Sequence, residues 1–185
     1  MSPSQSKKLI SVVGALLLLL ISAASQKYLP GAVGISQQQS DSLIRVIRVI
    51  DGDTIQAKIN GKVETIRLIG INTPETVDPR RTVECFGREA SAKTKKLTLG
   101  KMVKIETDPS QDTRDKYGRL LAYIFLEDGT NINKKLIEDG YAYEYTYERP
   151  YRYQLEFRQA QKDAEAAERG LWAPGMCVNK SKLKS

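Results

Sequence analysis

The sequence predicts an α+β fold, mainly β, in which five strands form a Greek-key barrel and about three helices attach to it. Three observations predict it: a cluster of β-branched runs between residues 43 and 71, a second pair of runs between 102 and 126, and helical patterns after each cluster. Residues 43–50, "LIRVIRVI", combine alternation with β-branched density and read as a strand. Residues 54–59 and 63–71 flank Asn60-Gly61, the strongest short hairpin signal, because both residue types accept positive φ. Residues 72–86 are irregular. Residues 88–100 are rich in alanine and lysine and end in Gly100, a helix with a glycine stop. Two further strands, 102–107 and 119–126, are separated by the polar loop 108–118, and 131–140 is a short helix closed by Gly140. The last helix, 151–169, carries Tyr153, Phe157, Ala160, Ala164 and Ala167, with Leu171 beyond, at spacings of three and four, an apolar stripe for packing. Three strands, a helix, two strands and terminal helices is the order of the five-stranded OB-fold with helices appended. That fold favours oligonucleotides and oligosaccharides, and the site has to decide the function.

Composition narrows the chemistry. The 185 residues are 41% hydrophobic and 28% charged, enough for one domain with a sizeable core. Lysine and arginine number 29 against 22 acids, for a net charge of +7 and a pI near 9.3, which favours an anionic partner such as nucleic acid or an acidic membrane surface. There is no histidine. Ser-His and Cys-His nucleophiles and histidine-ligated zinc or iron are thereby excluded, leaving carboxylates, Arg, Lys, Tyr and oxygen-bound metals. Lys7 and Lys8 precede sixteen uncharged residues, 9–24, shorter than the roughly 20 that span a bilayer and followed by no charge until Lys27. With the small residues Ser22, Ala23 and Ala24 at its end, the segment 1–24 reads as a signal peptide or membrane anchor. The expected location is therefore outside the cytoplasm, secreted or anchored at the outer face of the cytoplasmic membrane. Residues 25–42 read as a linker, 43–172 as the folded domain and 173–185 as a tail, and the expected state is a monomer. Cys85 and Cys177 are the only cysteines, and export makes a disulfide between them the expectation.

The motif "VIDGDT", residues 49–54, sets two acids around one glycine. Asp51-Gly52 is turn chemistry. Asp53 opens the next strand, where a carboxylate is useful only if something positive meets it. Antiparallel pairing of the first three strands sets the start of the second beside the end of the third. Asp53, Asn72 and the Thr73 carbonyl can then converge as hard oxygen donors, suited to calcium and poorly to zinc or copper. Glu75, directed by Pro74, projects into the same space. Arg67 and Arg119 supply two planar, permanently charged groups able to hold phosphate bidentately. Each piece has an ordinary reading as well: Arg67 as a cross-strand partner of Glu64 or Asp53, Arg119 as a residue after a turn, Glu75 as a first-turn helix acid. A glycosidase pair of Asp53 and Glu75 is disfavoured, because the arginines would depress both carboxylates and spoil a general acid.

Taken in order, "DGDT" (51–54), "RLIGINTPE" (67–75) and "DKYGR" (115–119) resemble the staphylococcal nuclease (thermonuclease) family over residues 43–172. The resemblance implies an OB-fold phosphodiesterase, an endonuclease that hydrolyses DNA and RNA with calcium and leaves 3′-phosphate ends. It implies that Asp53, Asn72 and the Thr73 carbonyl hold the metal, that Arg67 and Arg119 clamp the phosphate, and that Glu75 activates water. Lys116, Tyr117, Tyr145 and Tyr147 would face the substrate. The chain departs from the pattern at Asn72, where the family's best-known member has a second aspartate; an amide ligates without charge, so calcium affinity is where a difference is expected. Two function classes remain, a secreted or membrane-tethered calcium-dependent nuclease and a non-catalytic nucleic-acid-binding OB-fold module. The joint presence of Asp53, Arg67, Glu75 and Arg119 favours the enzyme.

Overall fold

β1 (Ile44–Asp51) and β2 (Thr54–Ile59) pair antiparallel around the Asp51–Asp53 turn, and β2 reverses at Asn60 and Gly61 into β3 (Lys62–Leu68). Both hairpin residues have positive φ, 48° and 80°, as the pair of residue types demands. These coordinates are a computed structural model that describes residues 43–76 and 84–177. The expected signal or anchor segment, the linker 25–42 and residues 178–185 of the tail lie outside the described residues. Among the described residues no helix is long and apolar enough to cross a membrane.

After β4 (Ile71–Asn72), helix α1 (Gly87–Thr98) leads to β5 (Met102–Glu106) and β6 (Leu120–Leu126). The barrel closes in the order β1-β2-β3-β6-β5, with β5 returning antiparallel to β1 at Ile44↔Val103. β3 and β6 run parallel, with Arg67 opposite Leu121, so the residues just before β6 reach the same barrel end as Arg67. Helix α2 (Ile132–Glu138), the two-residue β7 (Tyr143–Glu144), helix α3 (Gln154–Ala166) and a 3-10 turn (Gly170–Trp172) follow among the described residues. Val46, Ile55, Ile66, Val103 and Ile124 fill the core, which continues to Leu136 and Phe157. The fold is the expected α+β OB-fold barrel, with three α-helices among the described residues.

Two elements differ from the sequence reading. The third strand was expected to run to residue 71 and stops at Leu68. Gly70 takes φ 76°, the Tyr151 and Phe157 rings occupy the space a Cβ there would need, and Ile71–Asn72 then pair with Tyr143–Glu144 in a separate ladder. Buried Asn133 fixes the break, its Nδ2 donating to the carbonyls of Ile69 (2.9 Å) and Ala122 (3.3 Å) and its Oδ1 accepting from Ile124 N (3.1 Å). The last helix is shorter than 151–169. Phe157, Ala160 and Ala164 are buried as the stripe requires, whereas Ala167 is exposed at the helix end and Leu171 is buried from the 3-10 turn. The backbone at Glu168 turns to φ 51°, which ends the helical period. Cys85 and Cys177 are joined by a disulfide, with Cα atoms 5.7 Å apart across 92 residues of sequence.

Asp108 ties the long loop to the core. Its carboxylate accepts from Tyr123 Oη (2.7 Å), Arg152 N (2.7 Å), Ser110 N (2.9 Å) and Ser110 Oγ (2.8 Å). Burial raises this carboxyl, but the bonds from Arg152, Tyr123 and Ser110 outweigh it and hold Asp108 below its ordinary value. A depressed carboxylate contributes stability that is present above the unfolded pKa, about 3.9, and lost as pH falls through the folded value. Asp108→Asn leaves buried donors unmatched, so it is expected to cost about 2 kcal/mol at pH 7. Urea unfolding at pH 7 and pH 3 checks this; the gap between the two proteins should shrink at the lower pH.

Candidate active site

The turn that carries Asp53 is fixed from three sides. Asp51 Oδ1 accepts from Gly52 N (2.7 Å) and from Thr76 Oγ1 (2.7 Å). Thr94 Oγ1 of α1 donates to the Gly52 carbonyl (2.6 Å), and the Thr73 side chain lies against Gly52, where a Cβ would collide with it. Asp53 is buried at the start of β2. Its Oδ1 accepts from Thr54 Oγ1 (3.0 Å) and its Oδ2 from Thr73 N (3.0 Å), and its own carbonyl accepts from Leu68 N (2.9 Å). The pairing of Thr54 with Arg67 across β2 and β3 therefore brings Asp53, Thr73 and Arg67 together.

Arg67 is held by its backbone surroundings. Its Nη1 donates to the carbonyls of Leu68 (3.1 Å) and Ile71 (3.0 Å), and its Nη2 donates to Asn72 Oδ1 (3.2 Å) and ion-pairs with Asp53 Oδ2 (3.1 Å). The side chains of the pair are only 14% and 9% exposed. Of the two ordinary partners considered for Arg67, Asp53 is engaged, while Glu64 pairs with Arg114 (2.8 Å). Glu75 is half-buried on the following loop, its Oε1 accepting from Thr76 N (2.8 Å). Burial is the main cause that pushes the Asp51 carboxyl up; the bonds from Thr76 and Gly52 oppose it, and the charges of Asp53 and Glu75 add to the rise. Three acids thus share one neighbourhood.

Arg119 arrives from the loop before β6. Its Nε donates to Asp115 Oδ2 (2.6 Å), and its guanidinium lies 5.3 Å from the Tyr117 ring centroid, with Lys116 Nζ 5.2 Å from the same ring. Arg67, Asn72, Lys116, Tyr117, Arg119, Tyr145 and Tyr147 line one cleft of about 630 Å³. Tyr117 and Tyr147 are 73% and 67% exposed, unusual for rings unless something stacks on them. Asp53, Thr73 and Glu75 do not line this cleft; the first two meet it through Arg67 and Asn72.

The sequence reading missed the groups that hold these side chains in place. Asp115 was visible as the i, i+4 partner of Arg119. Thr94, 42 residues from Gly52, and Glu84, whose carboxylate accepts from Glu75 N, left no local signal. Among the described residues no group of three or more His, Cys, Asp or Glu stands at metal-binding distances. The donor types still fit a hard cation: the Asp53 carboxylate and the Asn72 amide oxygen both meet Arg67, beside the charges of Asp51 and Glu75, while Thr73 faces Asp53 through its N–H. The buried Thr73 Oγ1 has no hydrogen-bond partner among the described residues.

Residues 65–174 match the profile of a family described as staphylococcal nuclease homologue. The chain is 39% identical over 166 residues to the thermonuclease of Staphylococcus hyicus, covering 89% of this chain and 95% of that protein. To the thermonuclease of Staphylococcus intermedius it is 42% identical over 127 residues, 69% of this chain and 74% of the relative. It is also 38% identical over 127 residues to the SPbeta prophage-derived endonuclease YokF of Bacillus subtilis, 68% of this chain and 42% of that protein.

Proposed function

The chain belongs to the staphylococcal nuclease family, and from that premise we propose that it is a calcium-dependent nuclease that hydrolyses phosphodiester bonds of DNA and RNA and leaves 3′-phosphate ends. The observation that carries the reading is the cleft itself: two guanidinium groups and exposed tyrosines facing one space, with oxygen donors meeting Arg67 from the barrel side. We also propose that residues 1–24 direct export, so that the folded region, residues 43–172, acts as a monomer in the secreted form or tethered by its linker at the outer face of the membrane.

A phosphodiester entering the cleft is an anion, and in-line attack by water builds negative charge on its equatorial oxygens. Arg67 and Arg119 meet that charge with their own: the Arg119 fork matches two phosphate oxygens at once, while Arg67, whose Nη groups are engaged by Leu68, Ile71, Asn72 and Asp53, contributes its charge. Glu75, on the loop beside the cleft, takes the proton of the attacking water or holds that water in line. Asp53, Asn72 and the Thr73 carbonyl would hold calcium, which when bound supplies positive charge against the developing anion and orients water. Tyr117, Tyr145 and Tyr147 offer faces on which bases stack with little regard to sequence.

The test is release of acid-soluble product from heat-denatured DNA in calcium, in magnesium and in chelator. Product only in calcium supports the reading; retention of DNA on the protein without cleavage would favour the non-catalytic binding module instead. The neutral ligand gives a second measurement. Asn72→Asp adds a negative charge to the donor set and is expected to lower the calcium concentration for half-maximal activity by roughly fivefold. Titration of both proteins at fixed DNA and salt checks it, since phosphate binding is itself salt-dependent. Coincident curves would remove Asn72 from the metal's ligands.

A further inference from the structure

We propose that the Cys85–Cys177 disulfide belongs to the catalytic apparatus, acting through Glu84 to hold Glu75 in place, so that full turnover requires the oxidised protein. The inference rests on the nuclease reading, with Glu75 as the water-activating carboxylate.

Glu75 and Glu84 exchange two hydrogen bonds. Glu75 N donates to Glu84 Oε2 (3.0 Å), and Glu84 N donates to the Glu75 carbonyl (2.9 Å). The clamp continues into α1. Gly87 N donates to the Glu84 carbonyl (3.1 Å), and Gly87 sits so close to the Thr76 side chain and the carbonyls of Pro74 and Glu75 that a Cβ would not fit. Residues 84–87 are therefore the surface on which the 74–76 backbone rests. Phe86 is held at φ 68° with its ring 5.2 Å from that of Tyr141.

The remaining residue of that turn is Cys85, next to Glu84 in sequence and covalently bonded to Cys177. The far end of the bond follows the 3-10 turn, which is itself fastened to the domain. Leu171 N donates to the Gly140 carbonyl (2.8 Å), and the Trp172 ring meets that of Tyr143 at 5.4 Å. A covalent line thus runs from a fixed part of the fold to the residue beside the Glu75 clamp. Arg67 and Arg119 are held by other contacts, the carbonyls of Leu68 and Ile71 and the Asp115 carboxylate, and do not depend on it. Displacing a catalytic group by about an ångström can cost of order a hundredfold in rate. Loss of the bond should accordingly lower turnover without weakening phosphate binding.

The redox step is thiol–disulfide exchange. A small dithiol reduces the bond to two protein thiols and becomes a disulfide; oxidised glutathione reverses this, taking two electrons and two protons as it becomes two thiols. Glu84 is a positioning residue in this scheme. The consequence is a nuclease that is restrained in thiol-rich surroundings and released in an oxidising compartment.

The experiment uses the full-length chain on denatured DNA at saturating calcium, measuring kcat and KM separately. Reduction with dithiothreitol, or Cys85→Ser with Cys177→Ser, is expected to lower kcat about tenfold with KM changed less than about twofold, and oxidised glutathione should restore the reduced wild type. Glu84→Ala, with the disulfide intact, should show the same split. Glu84→Gln, whose amide oxygen still accepts from Glu75 N, should stay close to wild type. Glu84→Ala in the double-serine background should add little further loss, because both act on one element. Unchanged kcat on reduction overturns the proposal, as does full additivity of the two losses. Should reduction unfold the chain, the oxidised Glu84 variants decide alone, and equal kcat for Ala and Gln overturns it. Inactivity of the oxidised wild type would strike the nuclease reading instead.

Discussion

Arg119→Ala is expected to lower turnover on denatured DNA by at least about a hundredfold while changing stability by less than about 1 kcal/mol. The two halves of that result have separate causes. A guanidinium aimed at a developing anion stabilises the transition state by a few kcal/mol, because it is already oriented when the charge appears. Here the orientation comes from Asp115, which takes Nε and leaves the rest of the fork toward the cleft, and from the Tyr117 ring beneath it. The same ion pair contributes little to folding, since its side chains are 30% and 17% exposed and lie four residues apart on one turn. Arg119→Lys should recover only part of the activity, as an ammonium cannot bridge two phosphate oxygens. Single-turnover kinetics and urea unfolding on the same preparations check both halves. Activity within tenfold of wild type would mean that the phosphate is not held there.

Arg67→Ala is expected to produce a comparable loss of activity together with a loss of stability of about 3 kcal/mol. Arg67 differs from Arg119 in being buried against its partner. Removing it strands the Asp53 carboxylate, which among the described residues keeps Thr54 Oγ1 and Thr73 N, and it leaves the Leu68 and Ile71 carbonyls without this donor. An uncompensated buried charge is far more costly than a broken surface pair. A cation bound to Asp53 would supply the missing charge, so calcium should raise the melting temperature of Arg67→Ala by more than that of wild type. Thermal unfolding with and without calcium distinguishes the cases. Equal shifts in both proteins would place the cation away from Asp53, and unchanged stability in chelator would mean that the Asp53 pair contributes nothing.

What could be read from the sequence follows from how local its cause was. The β2–β3 hairpin was legible because Asn60-Gly61 carries its own backbone preference, and the helix stripe at Phe157, Ala160 and Ala164 because three or four residues suffice to define a face. The nearness of Asp53 to Thr73 was legible through strand pairing alone. The break at Gly70 was not, because "LIGI" looks like continuing strand until Tyr151, 81 residues later, fills the space beside the glycine. The ladder joining Asn72 to Tyr143 was hidden for the same reason. Glu84 was hidden more deeply, since its contact with Glu75 crosses an irregular stretch that has no period to read. The Arg67 pairing with Asp53 was among the alternatives, but choosing it over Glu64 needed the knowledge that Arg114, 50 residues away, takes Glu64.

The parallel pairing of β3 with β6 has a further meaning for a chain made from one end to the other. Asp53 and Arg67 leave the ribosome on a single hairpin, separated by about a second of synthesis at roughly 5–20 residues per second. Arg119 follows only on the loop that leads into β6, the strand on which barrel closure depends, and Cys177 comes 92 residues after Cys85. A growing chain therefore presents half of the proposed phosphate clamp on an open sheet for much of its emergence. Under the proposed function, competence comes late in synthesis, and a nascent or truncated chain that stops before residue 119 lacks the second arginine of the proposed phosphate clamp.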